Sequence, residues 1–367
     1  MEYMNTTKIF TLLVTTCLLS GGNAIAQDTD RPAPITIREQ GSFMVGGTTV
    51  AVPGTFEFSD YRNPAGQNAY ADHAYVFYQI PVDVKKLPLV FLHGGGQSGK
   101  TWETTPDGRE GFQTLFLRRG YGCYTVDQPR RGRAGSSSLP SSISPICTDK
   151  MLFSLFRFGR YPEYYPGTMF PQDSLSLRQL QRWGTPDTGP YDDYVTSDAM
   201  AALFDKIGGA VLVSHSRGGH PGWLTTLKSD NVKGIISLEP GGWKYVFPFP
   251  ENELPEPVRS SYGLHQGEPV PLNEFMKLTR IPILIIYGDF IAEKPVEDIG
   301  QDQWRVEMQM ARAFADAVNR HGGNAKVIHL PEIGIKGNTH FMMSDLNNVE
   351  IADLMEKWME ENKLNND

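Results

Sequence analysis

The residue best suited to covalent chemistry in this sequence is Ser216. It follows an apolar run and lies in the stretch Ser214-His215-Ser216-Arg217-Gly218-Gly219, after which a helix-like segment begins. This order is similar to the G-x-S-x-G nucleophile elbow, a sharp strand-to-helix turn that exposes a serine hydroxyl above a sheet, with Ser214 in place of the first glycine. The pattern predicts Ser216 as a nucleophile, provided that a base, an acid and oxyanion donors accompany it.

A glycine-rich loop earlier in the chain favours a different chemistry. The run Gly94-Gly95-Gly96-Gln97-Ser98-Gly99-Lys100-Thr101 matches the phosphate-loop pattern G-x-x-x-x-G-K-[ST] and follows an apolar segment. In nucleotide hydrolases, such a loop cradles phosphates with its backbone N–H groups. With 37 glycines, the chain can match this pattern by chance, and we expect the N-terminal segment described below to direct the protein to a compartment poor in ATP. A nucleotide hydrolase is therefore the least favoured function.

Two carboxylates are candidates for the acid that supports a catalytic base. Glu239 follows the apolar run 232–238 at a Pro-Gly-Gly turn, and Asp289 follows the run 283–287 directly after Gly288. Both lie at the carboxyl ends of predicted strands, where open α/β sheets place their sites. A carboxylate at the end of a buried strand is costly unless a partner neutralises it, and a catalytic imidazolium would be such a partner. This favours Glu239, with Asp289 as the alternative acid.

The elements that must position these side chains alternate along the sequence. Strand-like segments at 42–52, 54–58 and 73–80 predict an antiparallel entry into a sheet. Apolar runs typical of buried parallel strands follow at 87–92, 121–126, 209–213, 232–238, 283–287 and 326–330. Helix-like stretches lie between or after them at 198–206, 219–228, 303–319 and 349–363. The alternation predicts an α/β fold with a mostly parallel central sheet flanked by helices.

The segment 136–190 interrupts this alternation. It contains no clear strand and is rich in aromatic residues, namely Phe153, Phe156, Phe158, Tyr161, Tyr164, Tyr165, Phe170 and Trp183. Long irregular segments inside a compact domain are often functional. We expect a cap insertion over one end of the sheet, a satellite core under a long loop, or both.

Together, these motifs resemble the α/β-hydrolase superfamily, and within it bacterial serine esterases whose acid is a Glu after the sixth strand. The resemblance covers nearly all of the chain from Tyr75 to the C-terminus. It depends on His93-Gly94-Gly95 with Trp102-Glu103, the stretch from Asp127 to Gly135, the Ser216 elbow, Leu238-Glu239-Pro240, and Thr339-His340. Ser214 departs from the usual elbow glycine, and the aromatic insertion leaves the substrate open.

The resemblance implies catalytic roles for several of these residues. His340, in a loop between the last predicted strand and the C-terminal helix, would be the base that accepts the Ser216 proton. The N–H groups of Gly95 and Arg217 would form the oxyanion hole. In most members the acid lies a few residues beyond the glycine of the later strand, a pattern that Asp289 fits poorly. The implied function is hydrolysis of carboxylic esters through an acyl-enzyme on a Ser-His-Glu triad, without cofactor or metal.

Other functions and partners stay open beside this one. A lactonase or amidase uses the same residues, and a non-catalytic binding protein on this fold commonly lacks a triad member. The expected partner is a small-molecule ester. With 42 acidic against 34 basic residues and a net charge of −8, the chain would repel nucleic acid. The resemblance is also compatible with a homodimer.

The N-terminus has the features of a signal peptide. Its apolar run, residues 9–20, is too short to span a bilayer, follows Lys8 and precedes Ala24-Ile25-Ala26. We expect cleavage after Ala26, leaving a periplasmic or secreted domain of residues 27–367 without stable membrane insertion; an uncleaved anchor is the alternative. Cys123 and Cys147 of the mature chain would form a disulfide or remain two buried thiols.

Overall fold

Strands and helices alternate through the unit formed by residues 35–367. The computed structural model describes residues 32–143, 148–242, 244–250 and 253–365. The predicted signal peptide and Cys147 lie outside the described residues, so the proposed disulfide does too. Cys123 is buried, and its thiol donates to the carbonyl of Gln113 at 3.6 Å.

The described residues form the following elements. The strands are β1 (Ile37–Ala51), β2 (Asn68–Pro81), β3 (Leu89–Leu92), β4 (Cys123–Asp127), β5 (Gly159–Arg160), β6 (Glu163–Tyr164), β7 (Ala210–His215), β8 (Val232–Leu238), β9 (Val246–Phe249), β10 (Val258–Arg259), β11 (Leu264–His265), β12 (Glu268–Pro271), β13 (Pro282–Tyr287) and β14 (Asn324–His329). The helices are α1 (Phe112–Arg118), α2 (Asp149–Leu155), α3 (Ser174–Arg182), α4 (Asp193–Ile207), α5 (Gly219–Lys228), α6 (Leu272–Phe275), α7 (Ile299–Arg320) and α8 (Asn348–Glu361). In these ranges, no helix is both long and apolar enough to cross a membrane.

Eight strands build the central sheet, in the order β1-β2-β4-β3-β7-β8-β13-β14. Strand β2 runs antiparallel to β1 and β4, and every other neighbouring pair is parallel. This confirms the predicted antiparallel entry and mostly parallel centre. Because the carboxyl ends of parallel strands meet at one edge, β3, β7, β8 and β13 deliver the loops of the Gly95, Ser216, Glu239 and Asp289 motifs to the same place.

One predicted strand, at 54–58, is wrong. The ladder between β1 and β2 ends at Ala51 opposite Asn68 and is closed by the Val52 N–H, which donates to the Gln67 carbonyl at 2.9 Å. Pro53 then lacks a donor for a ladder, and Gly54 has a positive φ of 119°. The chain therefore turns into the hairpin loop instead of starting a new strand.

The sheet is covered on both faces, which explains why its central strands are apolar at nearly every position. Leu212 of β7 packs into one cluster with α4, α5 and α7, whereas Val211 and Val213 pack into the other with α1 and α8. The second cluster also contains Phe153 and Phe158 of the aromatic segment. In that segment, the structure shows α2, α3 and the short hairpin β5-β6.

Candidate active site

Ser216 occupies a sharp turn between β7 and α5. It has a left-handed backbone with φ of 53° and starts a single turn of 3-10 helix. The turn is too tight for side chains at the next glycines. A Cβ on Gly218 would lie 2.7 Å from the His93 carbonyl oxygen, and one on Gly219 would lie 2.5 Å from Cβ of Pro240. The two glycines therefore permit the strained turn that presents a partly exposed Ser216.

The substitution of serine for the first elbow glycine is accommodated inside the sheet. Ser214 is fully buried, and its hydroxyl forms a hydrogen bond of 2.8 Å with the hydroxyl of Ser237 on the neighbouring strand β8. A buried hydroxyl without a partner would be destabilising, and this pairing removes that cost. The departure from the motif thus leaves the geometry of the turn intact.

The glycine loop after β3 lies against the elbow. A Cβ on Gly94 would come within 2.8 Å of Cβ of Ser216, and one on Gly95 would lie 3.3 Å from Cδ of Arg217. Since Arg217 is the second residue of its helical turn, its N–H has no acceptor within the turn and can donate to a bound group. Lys100, the lysine of the phosphate-loop pattern, instead donates to the Thr104 carbonyl at 2.6 Å. The loop thus adjoins Ser216, while its lysine is occupied elsewhere.

His340 and Glu239 form a buried pair beside the elbow. Nδ1 of His340 and Oε2 of Glu239 are 2.7 Å apart, although the residues are 101 positions apart in the chain. The imidazole is 1% exposed and the carboxylate is completely buried. Because Nδ1–H donates a hydrogen bond to the carboxylate, Nε2 is left as the nitrogen of the imidazole that can accept a proton.

A positive charge and a backbone amide hold the other carboxylate oxygen. Oε1 of Glu239 accepts from the Gly288 N–H at 2.6 Å and from Nη2 of Arg157. Burial by itself would raise the pKa of Glu239, but the charge of Arg157 and the hydrogen bond from His340 lower it below its usual value. Glu239 is consequently an ionised carboxylate at the end of β8.

Asp289, the alternative acid, binds backbone groups and not the imidazole. Its carboxylate accepts from the Gly337 N–H at 2.8 Å and from the Phe290 N–H at 2.6 Å, while its own N–H donates to the Asn338 carbonyl at 2.8 Å. Among the described residues, it makes no hydrogen bond to His340. The aspartate ties the end of β13 to the loop that carries the imidazole, whereas Glu239 contacts the imidazole itself.

The elbow and the imidazole loop are joined through His215. Its Nε2 lies 3.0 Å from the His340 carbonyl oxygen, and the two rings have centroids 4.4 Å apart. Burial, followed by the nearby His340, keeps the pKa of His215 well below its usual value, so the ring is neutral and donates from Nε2. Among the described hydrogen bonds, none links the Ser216 hydroxyl to His340; the two lie on loops held together by this neighbour.

A cavity of about 750 Å³ opens beside the site. It extends from Gly95 and Gly96 to Phe341, which follows the catalytic candidate His340. Most of its remaining lining residues belong to the segment 136–190: the apolar ones include Leu152, Phe153, Phe156, Phe158, Leu177 and Leu180, and the polar ones include Thr148, Asp149, Gln181 and Thr185. A cavity of this kind accommodates an apolar group of a small molecule.

The arginines after β4 are occupied by carboxylates. Arg130 forms a buried bidentate pair with Asp72, at 2.7 and 2.9 Å, and Arg133 pairs with Asp127 at 2.8 Å. Arg131 is bound to Asp187 and to the Thr185 carbonyl. These arginines therefore tie the loop to its neighbours, which leaves them little capacity to bind an anionic substrate.

Sequence reasoning missed three side chains that surround the His340–Glu239 pair. The ring centroids of Phe156 and Trp304 lie 4.8 and 4.2 Å from that of the His340 imidazole, on which Phe156 is stacked. Arg157 binds Glu239. They come from α7 and from the irregular aromatic segment, so no local spacing connects them to the motifs. The one available signal was an arginine between two phenylalanines, Phe156 and Phe158, which is an unusual neighbourhood for a charge.

Comparison with known proteins shows the family to which the chain belongs. A family model described as the alpha/beta hydrolase family matches residues 89–360. The chain is an α/β hydrolase. A solved structure titled as a novel bacterial esterase is 32% identical, with a TM-score of 0.72, and the match covers 90% of the hydrolase and 98% of that chain. A probable secreted lipase, phiG, from Fungal sp. (strain ATCC 74256) is 27% identical over 330 residues, covering 78% of this chain and 85% of that protein.

Proposed function

We propose that this hydrolase cleaves carboxylic esters through an acyl-enzyme on Ser216, with His340 as the base and Glu239 as the acid. The observation that carries the proposal is the 2.7 Å hydrogen bond between His340 Nδ1 and Glu239 Oε2, which leaves Nε2 as the basic nitrogen of a loop that His215 joins to the strained elbow of Ser216. The similarity to a bacterial esterase and to a secreted lipase points to the same chemistry.

In each half of the reaction, His340 first accepts a proton from the attacking hydroxyl and then donates it to the leaving group. The Ser216 hydroxyl gives its proton to Nε2 of His340 while Oγ attacks the ester carbonyl, and the N–H groups of Gly95 and Arg217 donate to the resulting oxyanion. The imidazolium then protonates the leaving alcohol. A water molecule repeats the sequence on the acyl-enzyme and releases the acid. Serine and imidazole move into hydrogen-bond contact as substrate binds, as happens in many enzymes whose unliganded geometry is looser.

The charges favour this assignment. Burial lowers the pKa of His340 below its usual value, partly offset by Glu239, so the imidazole is unprotonated at neutral pH and ready to accept a proton. Glu239 is ionised and stabilises the imidazolium once it forms. Lactones and amides present the same type of carbonyl, and whether the hydrolase also cleaves them depends on its cavity and not on this pair.

The cavity determines which esters fit. Its apolar wall, its volume of about 750 Å³ and its position beside Gly95 favour an ester whose acyl group is apolar and longer than acetyl. The aromatic segment 136–190 contributes most of that wall and acts as the cap of the site. The named secreted relative and the N-terminal sequence together support export with cleavage after Ala26, to the periplasm or the medium.

The experiment is hydrolysis of p-nitrophenyl esters of increasing chain length by protein that starts at Gln27, in parallel with Ser216→Ala. We expect kcat to fall by about a million-fold in the variant, as in comparable triads. Equal activity in both proteins would exclude Ser216 as the nucleophile. If neither protein cleaves any ester, the esterase assignment is wrong, and lactones and amides become the substrates to test.

A further inference from the structure

Three consecutive residues of the aromatic segment contact the His340–Glu239 pair and its surroundings. Leu155 ends α2, and its carbonyl accepts from Nε1 of Trp304 at 2.8 Å. The Phe156 carbonyl accepts from the His340 N–H at 3.1 Å, and its ring stacks on the imidazole. Arg157 donates to Glu239. A short stretch of the cap is thus built into the support of both residues.

Arg157 is the charged member of this stretch. It is completely buried and has a left-handed backbone, with φ of 59°, which is uncommon for a residue other than glycine. Its Nε donates to the Asp289 carbonyl at 2.7 Å, and its Nη2 donates to Oε1 of Glu239. The guanidinium also lies 5.3 Å from the ring of Trp304. Local strain at such a residue is retained where the surrounding contacts fix it, commonly at functional sites.

We propose that Arg157 is a positioning residue of the catalytic pair: its guanidinium binds Oε1 of Glu239 and holds the carboxylate so that Oε2 faces Nδ1 of His340. The inference rests on the proposed function, because it assigns roles to Glu239 and His340. It adds that the cap supplies part of the machinery and is more than a wall of the substrate cavity.

The division of the carboxylate oxygens is the physical basis. With Oε1 held by Arg157 and the Gly288 N–H, rotation of the carboxyl group away from His340 would break two hydrogen bonds to buried donors. An unpaired carboxylate at this depth would tend to bind a proton and would then no longer stabilise an imidazolium. Arg157 prevents both outcomes.

The same charge acts on the base. Burial is the main cause that lowers the pKa of His340, Glu239 raises it, and Arg157 lowers it further. Among the described residues, the other titratable groups near the imidazole include His215, which is neutral, and Asp345, whose pKa burial raises to about 7 and whose carboxylate accepts from the Thr339 N–H. Loss of the guanidinium therefore raises the pKa of His340 and favours a protonated Glu239, and both changes shift the acidic limb of the activity profile to higher pH.

The test compares Arg157→Gln, Arg157→Lys and Arg160→Gln by the pH dependence of kcat and kcat/KM on one p-nitrophenyl ester. Arg160 is a matched control in the same segment: it is an exposed arginine that pairs with Asp298 at 2.9 Å, away from the imidazole. We expect Arg157→Gln to reduce kcat about 10- to 100-fold, as loss of alignment does, with little change in KM and with the acidic limb at higher pH. Arg157→Lys keeps the charge, so its acidic limb should lie at the same pH as in the wild type. Its kcat should lie between those of Arg157→Gln and the wild type.

A purely structural role would give a different pattern. Arg157→Gln would then lose activity in proportion to its unfolded fraction, with an unchanged acidic limb, and that result would overturn the proposal. If Arg157→Gln does not fold, kcat of Arg157→Lys per folded protein decides: a kcat below that of the wild type, with KM and the acidic limb unchanged, supports the proposal, and a kcat equal to that of the wild type overturns it. Failure of the proposed function would appear separately, as a wild-type protein that cleaves no ester or as full activity of Ser216→Ala.

Discussion

Glu239 and His340 lie 2.7 Å apart through Oε2 and Nδ1, whereas Asp289, at the end of the next strand in the sheet, binds backbone amides. The family pattern allows an acid after either strand, and the contact distinguishes the two. Together with the ion pair from Arg157, this contact explains how a carboxylate that is completely buried can remain charged.

The two carboxylates predict opposite consequences of mutation. Glu239→Gln should lower kcat by about ten-thousand-fold, as loss of the acid does in measured triads. Asp289→Asn should keep kcat within about tenfold and cost about 1–3 kcal/mol of the free energy of unfolding, because one buried N–H loses an acceptor. Urea unfolding and ester hydrolysis of both variants check this. Nearly full activity of Glu239→Gln with loss in Asp289→Asn would reverse the assignment.

The cavity wall predicts chain-length selectivity. Leu177→Trp on α3 adds bulk to the cavity, so kcat/KM for a long-chain p-nitrophenyl ester should fall roughly tenfold relative to that for the acetate. Leu175→Trp is the control, because Leu175 lies on the same helix but is 68% exposed. A ratio of long to short esters that is equal in both variants would place the acyl group elsewhere.

Arg130 should matter for stability and not for substrate choice. Its pair with Asp72 is nearly buried, so Arg130→Met leaves the carboxylate without its counter-charge and should cost about 3 kcal/mol of unfolding free energy, at the low end for buried pairs because Ser138 still donates hydrogen bonds to Asp72. Arg312→Met, which breaks an exposed pair with Glu332, should cost under about 1 kcal/mol. Preference between neutral and carboxylate-bearing esters should be unchanged; a selective loss of the anionic ester in Arg130→Met would show that Arg130 binds substrate.

His220 predicts a stability that depends on pH. Burial disfavours its charge, but Asp193 at 2.9 Å and Glu268 at 3.2 Å outweigh burial and raise the pKa of His220, with Lys244 also close to both carboxylates. Because the pKa of His220 is raised in the folded state, its charged ring contributes its full stabilisation below the unfolded pKa of 6.5. That contribution is lost as the pH rises through the folded pKa. The unfolding free energy of the wild type relative to His220→Gln should thus be largest just below pH 6.5 and smaller in alkaline buffer. A constant difference would contradict this.

Much of the fold was predictable because burial imposes an apolar pattern on the sequence. The strand predicted at 232–238 and the helix predicted at 219–228 match β8 and α5 at both ends. The exceptions have local causes. Residues 54–58 were predicted as a strand, but Pro53 and Gly54 instead begin a hairpin loop, and helix α4 starts at Asp193, five residues before the prediction, because Asp192 caps it through the Tyr194 and Val195 amides.

The candidate site was predictable only where local motifs mark it. Ser216 and the Gly95 loop have recognisable spacing. By contrast, Arg157 binds Glu239 across 82 positions, and Trp304 contacts His340 from helix α7, which no motif connects to the imidazole loop. Such contacts depend on how an irregular segment packs over the sheet, and no periodicity encodes that. The same limit applies to Asp289, whose place near a strand end is visible while its bonding to the Gly337 loop is not.

The most direct measurement is peptide mapping by mass spectrometry after reaction with a fluorophosphonate, which forms a stable adduct on an activated serine hydroxyl. We expect a single adduct on Ser216 in the wild type, none in Ser216→Ala, and strongly slowed labelling in His340→Gln, since the imidazole accepts the serine proton. An adduct on another residue, or labelling of Ser216→Ala at the wild-type rate, would show that Ser216 is not the nucleophile.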